Sequence, residues 1–387
     1  MRALHVSRPI GSRRLTPLGV LALVVGLVWN LAAPASGAAG WSTGSSPSPG
    51  TESTLNAVSC VSASWCAAVG YFGNNTLVES WNGSAWTIVR SPDRGTNSAL
   101  DGVSCVSARS CEAVGDYTSS TGLSRALVES WNGYTWSIVP SPDRGTNSAL
   151  DGVSCVSARS CEAVGNYSSS PGLSRTLVES WNGTAWSVVP SPSLVPNESA
   201  FNGVFCSLAR LCVAVGNSSS GTLVESWNGI AWTVEPSPTP GKYGGLSSVF
   251  CSSARSCVAV GNYSNGTGSG SSTLSRTLVE SWNGTAWSVV AGPSPSVAFL
   301  YGVSCVSPRS CKAVGDYASS SHLRRTLVES WNGIAWSVVS SPSPSVAFLY
   351  GVSCSSARSC KAVGEYANNS GAVRTLVESW NGTAWST

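Results

Sequence analysis

Fourteen cysteines fall into seven pairs, and five residues separate the partners of every pair: Cys60/Cys66, Cys105/Cys111, Cys155/Cys161, Cys206/Cys212, Cys251/Cys257, Cys305/Cys311 and Cys354/Cys360. The stretch "GVSCVSARSCEAVG" at 102–115 returns letter for letter at 152–165, and looser copies surround the other five pairs. A chain that repeats one unit this often builds one module many times. The even cysteine count predicts disulfides. The rival reading is metal ligation, but structural zinc sites space their cysteines about two to four residues apart and need further ligands nearby. Here the only histidine after the N-terminal segment is His322, so no metal is expected. "GVSC" and "CEAVG" are β-prone runs around a polar turn, so each pair is predicted to link the two arms of one hairpin. Each small closed loop contributes roughly 2 kcal/mol in the chain-entropy view and pins the hairpin's register.

The cysteine hairpin is half of a longer unit whose second half reads "RTLVESWNGTAWSVVPSP" at 175–192. First cysteines follow one another at 45, 50, 51, 45, 54 and 49 residues, a period that points to a propeller or solenoid. Four strand candidates fill each unit: A ("LDGVSCVS"), B ("CEAVGDY"), C ("TLVESWNG") and D ("AWSVVPSP"). Asn-Gly between C and D predicts a tight type I′ hairpin. The apolar run of strand D predicts burial on both of its faces. The expected fold is therefore all-β: a seven-bladed β-propeller of four-stranded antiparallel blades, one disulfide per blade, over 55–387. An open β-solenoid is the alternative. "GWSTGSSPSPG" at 40–50 looks like another strand D, and Trp41 precedes Cys60 by the same 19 residues that separate Trp86 from Cys105. Residues 39–54 are thus expected to be an N-terminal segment that closes the ring beside the last blade and covers its edge.

The order of strands, with a Trp opening strand D, resembles the kelch and galactose-oxidase-like propellers. The pairing of cysteines resembles secreted repeat proteins of actinobacteria. The double glycine that kelch repeats carry after strand B is a single glycine here, as in Gly115, Gly165 and Gly315. The resemblance implies the propeller fold. It does not bring the copper radical activity, which needs two histidines, and no cofactor is expected. A Ser-His-Asp set fails for the same reason, and Lys242, Lys312 and Lys361 stand in no catalytic motif.

Residues 1–38 read as a secretory signal peptide: Arg2, Arg8, Arg13 and Arg14 precede a short apolar run, Leu18–Trp29, and small residues follow. A retained anchor would need about 20 apolar residues. Removing those four arginines and no acids changes the formal charge from +3 to −1. No basic stripe remains, so nucleic acid is not an expected partner. The expectation is a secreted, extracellular monomer, free or held at the cell wall, without membrane attachment after signal removal.

Glu79, Glu129, Glu179, Glu225, Glu280, Glu329 and Glu378 hold one position in all seven repeats. A residue present in every blade reads as structural, with a backbone or tryptophan N–H as the expected partner. Arg109 and its five counterparts recur in the A–B turn and read as copied turn residues. The B–C loops vary in length, the longest at 261–277, and mark the variable face. At the start of each strand A on that face stand Asn56, Asp101, Asp151, Asn202, Ser247, Tyr301 and Tyr350. Acids, amides and aromatic rings together suit a sugar or a polar peptide. Two functions follow as expectations: a non-catalytic binding or scaffold protein for a glycan or a protein, and, as the alternative, a carbohydrate-active lyase or glycosidase.

Overall fold

The computed structural model describes residues 46–142, 144–168, 173–192, 198–265, 275–295, 297–344 and 346–387. The expected signal peptide, 1–38, residues 39–45 and the centre of the 261–277 loop lie outside them. Within the described residues 28 strands form seven sheets of four. In the first blade, β1 (Ser53–Ser62), β2 (Trp65–Phe72), β3 (Asn75–Trp81) and β4 (Trp86–Val89) are strands A to D, paired antiparallel in that order. The other six blades repeat it. The fold is the seven-bladed propeller that the repeat predicts.

Each blade has its own disulfide, and the two half-cystines are directly cross-strand, as in Cys155 opposite Cys161. The pairing is the one expected. The strand B partners Cys66, Cys111, Cys311 and Cys360 are only 1–2% exposed. Each lies in a core between two blades: Cys111 beside Val69 and Val78 of blade 1, Cys311 beside Val260 and Val279 of blade 5, Cys360 beside Val314 and Val328 of blade 6, and Cys66 beside Val363 and Val377 of blade 7. As disulfide partners these four cysteines stand as the sequence predicts. They are buried because the neighbouring blade covers the face of strand B from which they project.

Blades bind one another through these apolar faces. Val69 and Val78 of blade 1 pack with Leu100, Ala113 and Trp136 of blade 2. Val363 and Val377 of blade 7 pack with Leu55, Leu77 and Trp86 of blade 1, so the ring is closed. Burying these faces removes apolar surface from water at about 25 cal/mol per Å².

The serine two after the innermost small residue of strand A adds a polar link. The Cys105 N–H donates to Ser59 Oγ at 3.0 Å, Cys155 N–H to Ser104 at 2.9 Å and Cys206 N–H to Ser154 at 2.9 Å. Ser304 and Ser353 serve Cys354 and Cys60 in the same way. Blades 4 and 5 carry Phe205 and Phe250 instead, and these rings meet at 4.3 Å.

Two further local expectations are corrected. The C–D connection is a four-residue loop between the paired Trp81 and Trp86, not a two-residue type I′ turn. The Asn82 side chain caps it, with Oδ1 accepting the Ser84 and Ala85 N–H groups at 2.9 Å, and only Gly83 takes a positive φ, 96°. This is an Asx turn, in which the side-chain oxygen replaces a backbone acceptor. Strand D is likewise not buried on both faces. Trp86 is buried, while Ile88, Val289 and Val338 stay about half exposed (46, 46 and 51%). It is strands B and C that neighbouring blades sandwich.

The seven glutamates are all fully buried. Six of them take a hydrogen bond from a serine, five of these serines lying in the connector that leaves the preceding blade, and not from the backbone or tryptophan donor that the repeat suggested. Ser91 donates to Glu129 at 2.6 Å, Ser191 to Glu225 at 2.9 Å and Ser341 to Glu378 at 2.5 Å. Ser141 and Ser237 do the same for Glu179 and Glu280. For Glu79 the donor is Ser46, at 2.7 Å. Gly292 stands at the serine position before Glu329, and neither Glu329 carboxylate oxygen has a hydrogen-bond partner among the described residues; the nearby Thr277 hydroxyl donates to the Pro293 carbonyl at 3.2 Å. Ser48 Oγ accepts the Thr375 N–H at 3.1 Å, and Arg374 donates to the carbonyls of Ser48 and Gly50. Ser343 and Pro344 receive Thr326 and Arg325 in the same manner one blade earlier. Residues 46–50 form no strand; the strand D position of blade 7 belongs to Trp385, paired with Trp380.

Candidate functional site

Every strand A carries a β-bulge at one place. In blade 2 the pairing steps from Leu100 opposite Gly115 to Gly102 opposite Val114, leaving Asp101 as the extra residue. The extra residues of the other blades are Asn56, Asp151, Asn202, Ser247, Tyr301 and Tyr350. A bulge leaves one residue unpaired and re-aims its side chain. The seven residues expected from the sequence are thus the seven bulge residues, and together they line one cavity of about 170 Å³.

The bulge explains the lone glycine after strand B. A Cβ on Gly165 would come 2.2 Å from the Ala149 carbonyl oxygen, and the corresponding approach in the other six blades is 1.9–2.0 Å. Strand A presses backbone against backbone there, and only glycine fits. Gly165→Ala is expected to destabilise the propeller by about 3 kcal/mol, read as a lower denaturant midpoint. A change under about 0.5 kcal/mol would mean that the bulge relaxes freely.

The cavity has two unlike arcs. On blades 1 to 4 it is acid and amide. Asn56 Nδ2 donates to the Leu100 carbonyl and to Asp101 Oδ1, both at 3.0 Å. Asn202 Nδ2 donates to the Leu246 carbonyl at 2.8 Å and to Asn217 Oδ1 at 3.4 Å. These amide nitrogens are spent across blade boundaries, so each asparagine offers a ligand its carbonyl oxygen. Burial pushes Asp101 up to about 7; the nearby Asp116 carboxylate adds to this and the Asn56 bond opposes it. Asp151 is also pushed up to about 7, by burial and then by Asp101 and Asp116. Three carboxyls sharing one poorly solvated place cannot all ionise easily.

Blades 6 and 7 form the aromatic arc. Tyr301 and Tyr350 lie 5.5 Å apart, and each stacks on a phenylalanine of its own strand, Phe299 at 6.2 Å and Phe348 at 6.1 Å. The Arg324 guanidinium sits 4.9 Å above Phe299 and pairs with the fully buried Asp316. Asp316 is pushed up to about 6 by burial, against the pull of Arg324. Tyr301 lies beside Asp316, and the Tyr350 hydroxyl donates to Glu365 at 3.1 Å. Burial first, and these carboxylates second, raise both phenols, so they remain hydrogen-bond donors.

Sequence reasoning missed an outer ring. Asp116, Asn217, Asp316 and Glu365 all follow the strand B glycine; Asn217 and Glu365 accept hydrogen bonds from Asn202 and Tyr350, while Asp116 accepts from Ser124 and lies near Asp101. The signal was a polar residue that varies inside the otherwise constant "AVGxY". The recurrent arginines of the A–B turn lie elsewhere, their stems against the C–D glycines, as Arg159 Cγ lies beside Gly183. Lys312 and Lys361, in strand B of blades 6 and 7, are buried, each with its ammonium over a tryptophan of the next blade.

No family model matches the chain, and no curated protein matches it in sequence. Two solved propellers share its fold. The structure of YCF48 bound to D1 peptide superposes with a TM-score of 0.55 at 12% identity, covering 88% of this chain and 94% of that one. YCF48 from Cyanidioschyzon merolae gives 0.51 at 16% identity, covering 87% of this chain and 98% of that one. At these identities the likeness carries the fold alone. Among the described residues no helix is long and apolar enough to cross a membrane, and no cluster of side chains could hold a metal ion. The seven disulfides fit an oxidising compartment.

Proposed function

We propose that the protein is a secreted, non-catalytic binding propeller that captures a polypeptide segment at the mouth of its channel. The convergence of all seven bulge residues on one cavity carries this reading. The cavity is the size of one or two side chains. Its acid arc favours a cationic group and its tyrosine arc offers faces for an adjoining apolar or aromatic one. The YCF48 structure with a D1 peptide lends support, since that propeller of the same fold takes a peptide. Export through the 1–38 signal accords with seven disulfides. A kelch-like descent and attachment to the cell wall belong to the same reading.

A library of blocked short peptides screened against the wild type and the variant Asp101→Ala, Asp151→Ala, Tyr301→Ala, Tyr350→Ala tests it. Peptides with a basic residue beside an aromatic one should bind the wild type and lose at least about tenfold in affinity on the variant. Binding should tighten from pH 6 to pH 8, because Asp101 and Asp151, raised to about 7, must ionise to hold a cation. Peptide binding that survives all four changes would remove the mouth as the site. The cluster of Asp101, Asp116 and Asp151 favours one second reading, acid–base cleavage of a polysaccharide. Glycan binding together with turnover that is lost in Asp101→Asn would select it.

A further inference from the structure

Two lysines show how this propeller houses an ammonium group between blades. Lys312 Nζ of blade 6 lies 3.9 Å from the ring centre of Trp380 in blade 7 and donates to Ser330 Oγ at 2.9 Å. Lys361 Nζ of blade 7 lies 3.7 Å from Trp81 in blade 1 and donates to Ser379 Oγ at 2.8 Å. A cation over the face of tryptophan is attracted by the ring's negative centre, the more so when water is excluded.

Blade 4 keeps the serine and the next tryptophan but not the lysine. Val213 stands opposite Ser226 in the register that Lys312 shares with Ser330. A groove of about 190 Å³ opens there, lined by Val213, Ser226, Trp227, Glu235 and Trp282 with the Cys251–Cys257 disulfide at its base. Glu235 is a second departure. Its place in strand D is taken by Val89, Val139, Val189, Val290 and Val339 elsewhere, and each of those valines packs into an inter-blade core. The Glu235 carboxylate instead accepts the Ser226 hydroxyl at the groove, and no ion pair to it occurs among the described residues. The A–B and C–D turns of blade 4 are apolar as well, and Leu211 lines the groove. Leu208, Leu211 and Ile230 are 61, 38 and 88% exposed, the two leucines standing where blade 3 has Ser157 and Ser160.

We infer that the groove between blades 4 and 5 is a docking site for a lysine side chain of a partner polypeptide, flanked in the partner by apolar residues. The Trp282 face and the Glu235 carboxylate take the ammonium, Val213 and the tryptophans take its methylene stem, and the leucines and isoleucine of these turns take the flanking residues. The groove opens at the A–B and C–D turns, whereas the bulge residues stand at the other end of strand A. It is therefore independent of the mouth.

The probe is acetyl-Leu-Lys-Leu-amide, with the norleucine peptide as its uncharged counterpart, titrated by calorimetry. The proteins are the wild type, Val213→Lys, Glu235→Gln and the four-fold mouth variant. Val213→Lys should place the chain's own ammonium over Trp282, as Lys312 does over Trp380, and abolish binding. Glu235→Gln, which keeps the shape, and the norleucine peptide should each weaken binding about tenfold. The mouth variant should bind as the wild type does. Equal affinity for the two peptides, undiminished binding to Glu235→Gln or to a folded Val213→Lys, loss of binding in the mouth variant, or no millimolar binding to the wild type would each overturn the assignment.

Discussion

A form of the chain that begins at Gly50 is expected to melt about 5 °C lower than the chain with residues 41–49 present, and to associate at its exposed seam. Its loss is specific. Ser46 is the serine donor to the buried Glu79, and Ser48 holds the Thr375 N–H. A buried polar group left without its partner costs about 1–3 kcal/mol, so the Glu79 acceptor and the Thr375 N–H donor together amount to about 4 kcal/mol. Ser46→Ala isolates the first contribution, and adding the free 41–49 peptide to the shortened form should restore part of the stability. We propose on this basis that the N-terminal segment serves as the connector between blade 7 and blade 1. Calorimetry and sedimentation check it; unchanged melting of a monomer would show that the seam holds without it.

The glutamate ring predicts an equally large effect of pH. Burial pushes Glu79, Glu129, Glu329 and Glu378 up to about 8, and Glu225 and Glu280 up to about 7, from 4.5 in the unfolded chain. The serine bonds to five of these oppose this at those sites without cancelling it, and Glu329 has none. Between about pH 4.5 and 8 the folded protein keeps protons that the unfolded chain has released. Stability therefore falls as pH rises through that window, is greatest below it, and has lost this contribution above it. The melting temperature should be highest near pH 5 and drop by on the order of 10 °C by pH 8.5. Glu129→Gln, a neutral side chain of the same shape, should flatten the profile by its share. A melting temperature that climbs from pH 5 to pH 8 would mean that the ring is ionised and held as carboxylates by the serines.

Much of the fold was legible because it is stated seven times. Period, paired cysteines and four strand signals per unit agree, so no single weak signal decides. Contacts between blades were hidden. The serine that serves Glu129 lies 38 residues upstream, in a connector that reads as a simple Ser-Pro linker. The partners of Lys312 and Lys361 are tryptophans of the following blade, and nothing in a single repeat brings them together. The depth of Cys66, Cys111, Cys311 and Cys360 was hidden for the same reason, since the valines that cover them belong to another repeat. The C–D turn was misread because Asn-Gly has two uses: positive φ at both residues, or, as at Asn82 and Gly83, a side-chain cap followed by one left-handed glycine. Position by position, the ring of Asn56, Asp101, Asp151, Asn202, Ser247, Tyr301 and Tyr350 was visible as the place where a constant strand varies. The bulge that turns those side chains toward one cavity was not, since register is a property of two strands and not of one.

The disulfides close within blades and never between them, each joining residues six apart. Oxidation can thus proceed hairpin by hairpin, before any blade has a neighbour. A nearby thiol is favoured over a distant one by loop-closure entropy, which limits scrambling among fourteen equivalent sulfurs. The same locality bears on descent. A unit that carries both halves of its own covalent lock can be duplicated or lost by unequal recombination without orphaning a cysteine. The letter-for-letter copies at 102–115 and 152–165 are the trace such an exchange would leave.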